Sequence, residues 1–397
     1  MRILMVAPEP VLEPRGTPLL VYHRARVLSQ LGHTVDLATY PVGQSFTLPG
    51  IHIYRTWPLP GLRRVKVGPS LAKLLLDGLL LLRVIALVLR RRYDCIHTYQ
   101  EAGLIGAICS YLWRLPHIYD MQSSLPEELA NFRFTRNRLL VWIMHQAERI
   151  MVRSAHTVIV VYPELLDIVA AIDPAKPVTL IYCAIVEEED EQDWPPGMRE
   201  AALCRLRQEL DVPEGTGLVL LYTGTFEPYQ GLDLLIAAMP EVLAAFPTTL
   251  LLLVGGHPEQ VAALAEQARR LGVAAALRLP GRRDPKEIPL FMDLADVLLS
   301  PRSQGTNTPL KIYTYLHAGK PILATTIRAH TQVLPPDAAL LVEPTSSALA
   351  QGIKQLLADP ALRARLGQRA RTLARQRYSY ATFRAQTAQA YRIGLHP

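Results

Sequence analysis

Residues 218–223 read LVLLYT, and residues 224–235, GTFEPYQGLDLL, follow them directly. The first run is short, apolar and not alternating, which is typical of a strand covered on both faces of a parallel sheet. Gly224 and Gly231 bracket a tight loop, and an apolar segment of helical character comes next. This order predicts a strand–loop–helix unit whose loop lies at the carboxyl edge of a sheet.

The same order recurs through the chain, in two similar halves. Short apolar runs predict strands at 3–7, 35–39, 94–98, 117–120, 157–161 and 178–182, then at 218–223, 249–254, 297–300 and 321–325. Between them we predict helices near 18–31, 71–92, 101–113 and 125–153, then near 231–246, 258–271, 286–294, 309–318, 345–358, 360–376 and 378–394. The alternation predicts an α/β fold with a doubly wound parallel sheet in each half.

An acidic run separates the halves. Residues 187–193 read EEEDEQD, and WPPG follows at 194–197, a composition that does not pack and ends any helix. We therefore predict a first domain over 1–186, a linker over 187–199 and a second domain over 200–377. We expect the last helix, within 378–397, to return to the first domain.

The composition excludes several classes of protein. Half of the 397 residues are hydrophobic and 19% are charged, which excludes a largely disordered chain, and the net charge of +7 is only mildly basic. Four cysteines without a C-x-x-C motif predict reduced thiols, and the first residues lack a signal-peptide pattern, so we expect a cytoplasmic protein. No dinucleotide, P-loop, metal-ligand or nucleic-acid motif is found in the sequence, so we expect no cofactor, no metal and no nucleic-acid partner.

Residues 55–92 combine apolar and basic character. Nine basic residues and one acid, Asp77, lie between Arg55 and Arg92. Because charges interrupt the apolar segment 71–92, we expect a helix buried on most sides rather than a membrane span. The stretch is typical of a surface that meets an anionic lipid face, and a solvated basic edge is the alternative.

Two segments place a threonine and a proline just beyond a strand: GTP at 16–18 and NTP at 307–309. In each we expect Thr as the helix N-cap and Pro as the first helical residue, which leaves backbone N–H groups free to bind an anion. Each could equally be an ordinary cap. Two of them, in two similar domains, favour a diphosphate held across a cleft. Lys311, in the first turn of the second helix, would add positive charge.

Three polar residues lie at or just after strand ends in the first half: His97, Asp120 and Gln122. A carboxylate at this edge can orient a hydroxyl group or accept its proton. We predict these three residues as catalytic. An ordinary polar end to a strand is the alternative for His97.

A series of motifs runs through the second half. After the loop at 224–231 come LDLL at 232–235, LLVGG at 252–256, LPGR at 279–282, SPRSQGTNTPLK at 300–311 and HAGKPI at 317–322. In this series the chain resembles the family-4 retaining glycosyltransferases of the GT-B fold. The resemblance covers most of the chain, and the series is specific although no single piece of it is.

The resemblance implies two Rossmann-like domains facing a cleft, with the acceptor on the first domain and the nucleotide sugar on the second. It implies transfer of a sugar from a nucleotide diphosphate, expected to be a UDP-sugar, to an acceptor hydroxyl group, with retained anomeric configuration and no metal. The basic stretch favours a lipid-linked or cell-envelope glycan acceptor at the cytosolic face of a membrane. The predicted donor-binding residues are Gly16, Thr17, Gly224, Thr225, Gln230, Arg282, Arg302, Thr306, Asn307, Thr308, Lys311 and Thr314.

The sequence departs from the common family pattern in four places. Where the family has an Arg and a Lys on the phosphates, this chain has Thr225 and Gln230. Thr306 and Thr314 correspond to a pair of glutamates, and Gln122 corresponds to a histidine. The candidates to replace the positive charge are Lys311, Arg302 and Arg282.

These departures leave two other functions open. A scaffold that binds a nucleotide sugar without turnover would tolerate them. A sugar-nucleotide epimerase on the same fold would need no acceptor. Product analysis separates both from a transferase.

Overall fold

The computed structural model describes residues 1–12, 16–58, 65, 71–126, 138–182, 197–213 and 215–395. The chain divides into unit 1, Met1–Ile185 with Ala381–Pro397, and unit 2, Val186–Tyr380. Residues 187–196 of the predicted linker lie outside the described residues, as do 59–64 and 66–70 of the predicted basic stretch.

Unit 1 contains a seven-stranded parallel sheet in the order β3-β2-β1-β4-β5-β6-β7. The strands are β1 (Arg2–Ala7), β2 (Thr34–Thr39), β3 (Ile51–Arg55), β4 (Cys95–Tyr99), β5 (His117–Met121), β6 (Thr157–Val160) and β7 (Val178–Leu180). Its helices are α1 (Gly16–Gln30), α2 (Leu71–Arg90), α3 (Gly103–Trp113), α4 (Arg138–Ser154) and α5 (Glu164–Ile172). The strand order reverses between β1 and β4, where ligands bind in open α/β sheets.

Unit 2 contains a six-stranded parallel sheet in the order β10-β9-β8-β11-β12-β13. The strands are β8 (Val219–Gly224), β9 (Leu250–Gly255), β10 (Leu277–Gly281), β11 (Val297–Ser300), β12 (Ile322–Thr325) and β13 (Leu340–Val342). The helices are α6 (Met198–Glu209), α7 (Leu232–Ala245), α8 (Pro258–Arg270), α9 (Ile288–Leu294), α10 (Lys311–Ala318), α11 (Arg328–Thr331), α12 (Ser346–Ala358) and α13 (Pro360–Arg377). Here the order reverses between β8 and β11.

The predicted fold class is confirmed: each unit is an α/β layer structure built on a parallel sheet. The central strands are almost wholly buried, which explains why they are apolar without alternation. Helices cover the faces of each sheet, because the chain must cross over between one parallel strand and the next.

The elements missed by the sequence prediction are mainly peripheral. Strands β3, β10 and β13 are partly exposed and lie at sheet edges. Polar residues such as His52 and Arg278 break the apolar pattern of β3 and β10, and β13 is only three residues long. Helices α5 and α6 were also not predicted. Helix α6 begins at Met198, inside the segment predicted as linker.

The last helix, α14 (Tyr380–Leu395), packs on the strands of unit 1. Gly394 lies so close to β5 and β6 that a Cβ atom there would approach Thr157 to 2.8 Å and Ile118 to 3.3 Å. The helix therefore adds a layer to the sheet that is farthest from it in the sequence.

Helix α2 differs from the prediction that most of its sides are buried. Leu76, Leu80, Val84 and Leu87 are in the core, but four other leucines of the same helix are more than half exposed. Among the described residues, no helix is long and apolar enough to cross a membrane.

Candidate functional site

Unit 2 brings several predicted donor-binding residues together where its strand order reverses. Strand β8 ends at Gly224, and β11 ends at Ser300, beside it in the sheet. The segment after β11 leads into α10, whose first residue is Lys311. The loops at this edge therefore converge on the place where open α/β sheets bind ligands.

Lys311 has an unusual environment. Its ammonium nitrogen is buried and has no hydrogen-bond partner among the described residues. It lies 3.5 Å from the centroid of the Tyr222 ring, in cation–π contact. Burial, and secondarily the charge of Arg302, lower the pKa of Lys311 well below its usual value. A buried cation without an anionic partner is costly, so this geometry favours an anionic ligand.

Gly224 makes room for this ammonium group. Its φ of 138° is in the region that favours glycine, and a Cβ atom there would lie 2.9 Å from Lys311 Nζ and 3.2 Å from the Tyr222 hydroxyl oxygen. The Tyr222 hydroxyl donates to the backbone oxygen of Thr225 at 2.7 Å. The absence of a side chain at Gly224, at the end of β8, therefore leaves the space that the Lys311 ammonium group occupies.

Arg302 shapes the loop after β11. Its guanidinium donates to the backbone oxygens of Gln304, at 2.7 Å, and Asn307, at 2.8 Å, and its Cζ atom lies 5.0 Å from the centroid of the Tyr229 ring. Burial lowers the pKa of Arg302. Because two of its N–H groups bond to backbone oxygens of the loop, Arg302 fixes the loop's conformation. Its guanidinium group also places positive charge there.

Gln332 and Thr325 hold the same loop through hydrogen bonds from their side chains. The Gln332 amide donates to the backbone oxygen of Thr306 at 2.7 Å and to Thr308 Oγ1 at 2.9 Å. The Thr325 hydroxyl donates to the backbone oxygen of Arg302 at 2.5 Å. No sequence motif indicates these two residues, because both contact the loop from positions that are distant in the sequence.

The predicted threonine caps are wrong at both segments. Helix α10 begins at Lys311, its N-cap position is Leu310, and the Thr308 side chain accepts from Gln332 instead. Helix α1 begins at Gly16, so Thr17 lies within the helix. The Thr308 hydroxyl group therefore bonds to a side chain that is distant in the sequence, and not to the backbone of the helix that follows it.

The other predicted donor-binding residues of unit 2 are less closely bound. Gln230 is buried, its amide lies 3.4 Å from Thr225 Oγ1, and its Oε1 atom has no partner among the described residues. Thr314 follows Lys311 by three residues on α10 and therefore shares its face. Arg282 is exposed at the end of the edge strand β10, two strands from β8.

In unit 1 the predicted catalytic residues meet in the interior. Asp120 and His97 are fully buried, and Asp120 Oδ2 lies 3.2 Å from Arg24 Nη2 and 3.4 Å from His97 Nε2. His97 Nδ1 lies 2.6 Å from the Tyr391 hydroxyl oxygen on α14. Burial lowers the pKa of His97, with the neighbouring Arg24 acting in the same direction and Asp120 opposing it.

The third residue, Gln122, is at the rim of this cluster. It is partly exposed, and its side-chain amide donates to Asp120 Oδ1. Its backbone N–H donates to Gln100 Oε1 at 3.0 Å. Of the three predicted catalytic residues, Gln122 alone has exposed surface, whereas Asp120 and His97 are buried and contact Arg24 and Tyr391.

Two family models match the chain. The model described as "Glycosyl transferase 4-like domain" matches residues 16–184, and "Glycosyl transferases group 1" matches residues 206–373. The chain belongs to the GT4-like glycosyltransferases. It is therefore a transferase enzyme of the GT-B fold, and the predicted family and enzyme class are confirmed.

Its relatives include two bacterial glycosyltransferases that are named for inositol-containing acceptors. The D-inositol 3-phosphate glycosyltransferase of Corynebacterium efficiens is 28% identical over 308 residues, which cover 75% of this chain and 71% of the relative. The phosphatidyl-myo-inositol mannosyltransferase of Mycolicibacterium smegmatis is 25% identical over 400 residues, which cover 98% and 93%.

Among solved structures, the Anabaena protein Alr3699/HepE in complex with UDP has a TM-score of 0.75 at 20% identity, covering 98% of this chain and 99% of that one. Sucrose-phosphate synthase from Thermosynechococcus elongatus has a TM-score of 0.77 at 20% identity, covering 98% of each chain. At 20% identity, these likenesses show the fold of the chain alone.

Proposed function

We propose that this glycosyltransferase binds the diphosphate of a nucleotide sugar at the edge of unit 2, around Lys311. The buried Lys311 ammonium group, which has no hydrogen-bond partner among the residues that the structure describes, carries the proposal, because a diphosphate is an anion that would pair with it. Gln230 Oε1, which has no partner in the described part of the chain, and the partly exposed Thr306 and Thr308 offer polar groups for the rest of the donor.

In this proposal catalysis is electrostatic. A departing nucleoside diphosphate gains negative charge, which Lys311, Arg302 and the N-terminus of α10 stabilise. These groups supply the counter-charge without a metal ion. The acceptor hydroxyl group attacks from the side of the leaving phosphate, passes its proton to that phosphate, and the anomeric configuration is retained.

For the donor we propose a UDP-sugar. The Anabaena protein of this fold has been crystallised with UDP and with UDP-glucose, which supports uracil as the base. For the acceptor we propose a hydroxyl group of a lipid-linked or cell-envelope glycan at the cytosolic face of a membrane. The name of the mycobacterial relative, a phosphatidyl-myo-inositol mannosyltransferase, supports a lipid-linked acceptor.

The first experiment is a thermal-shift panel with UDP, GDP and ADP, each with and without EDTA. A nucleotide at 100 times its dissociation constant should stabilise the folded state by about 2.7 kcal/mol. We expect a shift with UDP that EDTA does not change and that the Lys311→Met variant loses. The matched control is Lys354→Met, since Lys354 lies on α12 in an exposed ion pair with Glu241.

Product analysis with UDP-sugars then tests turnover. Transfer to an added acceptor supports the proposal. A new sugar nucleotide formed without acceptor would indicate an epimerase, and binding without any product would indicate a scaffold. No shift with any nucleotide would refute the Lys311 site.

A further inference from the structure

The segment from the end of β11 to the start of α10 carries four hydroxyl groups. They belong to Ser300, Ser303, Thr306 and Thr308. A hydroxyl group has one hydrogen to donate, and its oxygen can accept as well. The bonds that these groups already make within the fold therefore decide which hydrogen is left for a ligand.

Ser300 donates its hydrogen to His330. His330 Nδ1 lies 3.0 Å from the backbone oxygen of Thr325, which can only accept, so Nδ1 carries the ring hydrogen. Burial lowers the pKa of His330 to about 4, so the ring is neutral and its Nε2 atom is an acceptor. Ser300 Oγ lies 2.8 Å from this Nε2 atom and is therefore the donor.

Ser303 and Thr306 also donate within the fold. The Ser303 hydroxyl donates to the backbone oxygen of Tyr229 at 3.3 Å. The Thr306 hydroxyl donates to Asn307 Oδ1 at 3.5 Å, which is a long contact and correspondingly weak. Both hydrogens therefore have acceptors close to the segment itself.

The Thr308 hydroxyl group is held in the opposite sense. The Gln332 amide donates one N–H to the backbone oxygen of Thr306 at 2.7 Å and the other to Thr308 Oγ1 at 2.9 Å. The contact with a backbone oxygen identifies the shared atom as the amide nitrogen, so Thr308 accepts. In the part of the chain that the structure describes, we find no acceptor for the Thr308 hydrogen. Because Thr308 is also partly exposed, this hydrogen is left for a ligand.

Thr308 and Lys311 belong to the same short stretch of chain. Thr308 precedes Lys311 by three residues, and both follow β11, at the edge where the strand order of unit 2 reverses. The oxygens of a diphosphate only accept hydrogen bonds, so a hydroxyl group that is held as a donor matches them. The donor sense at Thr308 and the positive charge at Lys311 therefore favour the same kind of ligand group.

We propose that the Thr308 hydroxyl donates to the diphosphate of the nucleotide sugar, and that Gln332 is the positioning residue that fixes it as a donor. Gln332 itself does not touch the ligand. Both of its N–H groups bond to the loop, and its Oε1 atom is buried without a partner among the described residues. This inference deepens the proposed function, on which it rests for the diphosphate, and it adds a residue from the far side of β12.

The test compares the affinities of the full chain for UDP, by titration calorimetry, and for uridine, by ligand-observed NMR. Thr308→Val removes the hydroxyl group at nearly constant size, and UDP affinity should fall by about tenfold or more. Uridine affinity should not change, because uridine carries no phosphate. Thr308→Ser, which keeps a hydroxyl group, should lose much less UDP affinity than Thr308→Val.

A double-mutant cycle tests the role of Gln332. Gln332→Met removes both N–H groups at similar length and should lower UDP affinity. In the Thr308→Val background the same substitution should have a much smaller effect, because Gln332 acts through the hydroxyl group. An equal effect in both backgrounds would assign Gln332 to general support of the loop and overturn the proposal.

Gln267→Met is the matched control for Gln332→Met. Gln267 lies on α8, and its amide donates to the backbone oxygen of Asp233 at 2.9 Å, outside the site. Its loss should leave UDP affinity unchanged. Melting temperatures without ligand are measured for every variant, so that a loss of affinity is compared at known stability.

The Lys311→Met variant separates this inference from the proposed function. If Lys311→Met loses UDP affinity while Thr308→Val and Gln332→Met keep it, the inference is refuted and the proposed function stands. Equal losses of UDP and uridine affinity in Thr308→Val would refute the contact with the phosphates. A wild-type chain that binds no UDP would refute both.

Discussion

Arg24 on α1 and Asp120 on β5 form an ion pair of 3.2 Å between two side chains that are both fully buried. The Arg24 guanidinium also donates to Thr387 Oγ1 at 2.6 Å and lies 4.6 Å from the centroid of the Phe383 ring, both on α14. The pair therefore joins the core of unit 1 to its last helix.

The first prediction concerns the stability of this pair. Asp120→Asn removes the carboxylate that lies 3.2 Å from the buried Arg24 guanidinium, so unit 1 should lose about 3–5 kcal/mol of unfolding free energy. The double variant Arg24→Met with Asp120→Leu should recover most of it, because it removes both charges. Urea unfolding of the wild type, of Asp120→Asn and of the double variant measures these two differences in unfolding free energy.

The same variants decide whether Asp120 acts in catalysis. If Asp120 only supports the fold, the double variant should bind nucleotide and transfer sugar. A stable double variant that binds nucleotide but transfers no sugar would instead show that the carboxylate is catalytic.

The predicted cluster shows what a sequence can and cannot specify. The apolar pattern places His97 and Asp120 on two neighbouring strands, as the structure does, but His97 is the middle residue of β4 and not its end, whereas Asp120 is the last but one residue of β5. Their partners Arg24 and Tyr391 belong to helices far away in the chain. A lone arginine on an amphipathic helix carries no local signal that it will be buried, so the ion pair could not be predicted.

The second prediction concerns pH. Burial lowers the pKa of His97 and lowers that of His117 to about 3, whereas both are near 6.5 in an unfolded chain. Below pH 6.5 the unfolded state therefore binds more protons, and the unfolding free energy of unit 1 falls as the pH decreases. Each histidine contributes up to about 1.4 kcal/mol per pH unit.

Urea midpoints between pH 7.5 and pH 5 measure this slope. His117→Gln should reduce it by one proton. Identical slopes for wild type and His117→Gln would contradict the assignment.

The third prediction concerns Gly224. In Gly224→Ala the new methyl group would meet the end of the Lys311 side chain, which is flexible, so we expect the ammonium to move. The strained backbone should cost about 1–3 kcal/mol of stability, and the displaced charge should lower nucleotide affinity about tenfold or more.

Gly272→Ala is the matched control. Its φ is 71°, and a Cβ atom there meets nothing within 4 Å. It should show a similar loss of stability with unchanged nucleotide affinity, measured by titration calorimetry. An equal loss of affinity in both variants would show that stability alone causes the effect.

The last prediction is that Lys311→Met separates stability from binding. In the ligand-free protein the substitution removes a buried charge that has no hydrogen-bond partner among the described residues, at the expense of one cation–π contact with Tyr222. The desolvation penalty of a buried charged group exceeds about 1–3 kcal/mol, and a cation–π contact returns about 0.5–2 kcal/mol. We expect a net gain of about 1 kcal/mol in unfolding free energy, together with a loss of nucleotide affinity.

Protonation gives a second readout at the same site. Because the pKa of Lys311 is well below its usual 10.5 in the folded protein, stability should rise with pH across the window below 10.5. A bound diphosphate favours the charged ammonium, so UDP binding at mildly alkaline pH should take up a proton. Calorimetry in two buffers of different ionisation enthalpy measures this uptake, which Lys311→Met should abolish and Lys354→Met should keep. A destabilised Lys311→Met variant with normal UDP affinity would instead make Lys311 a packing residue.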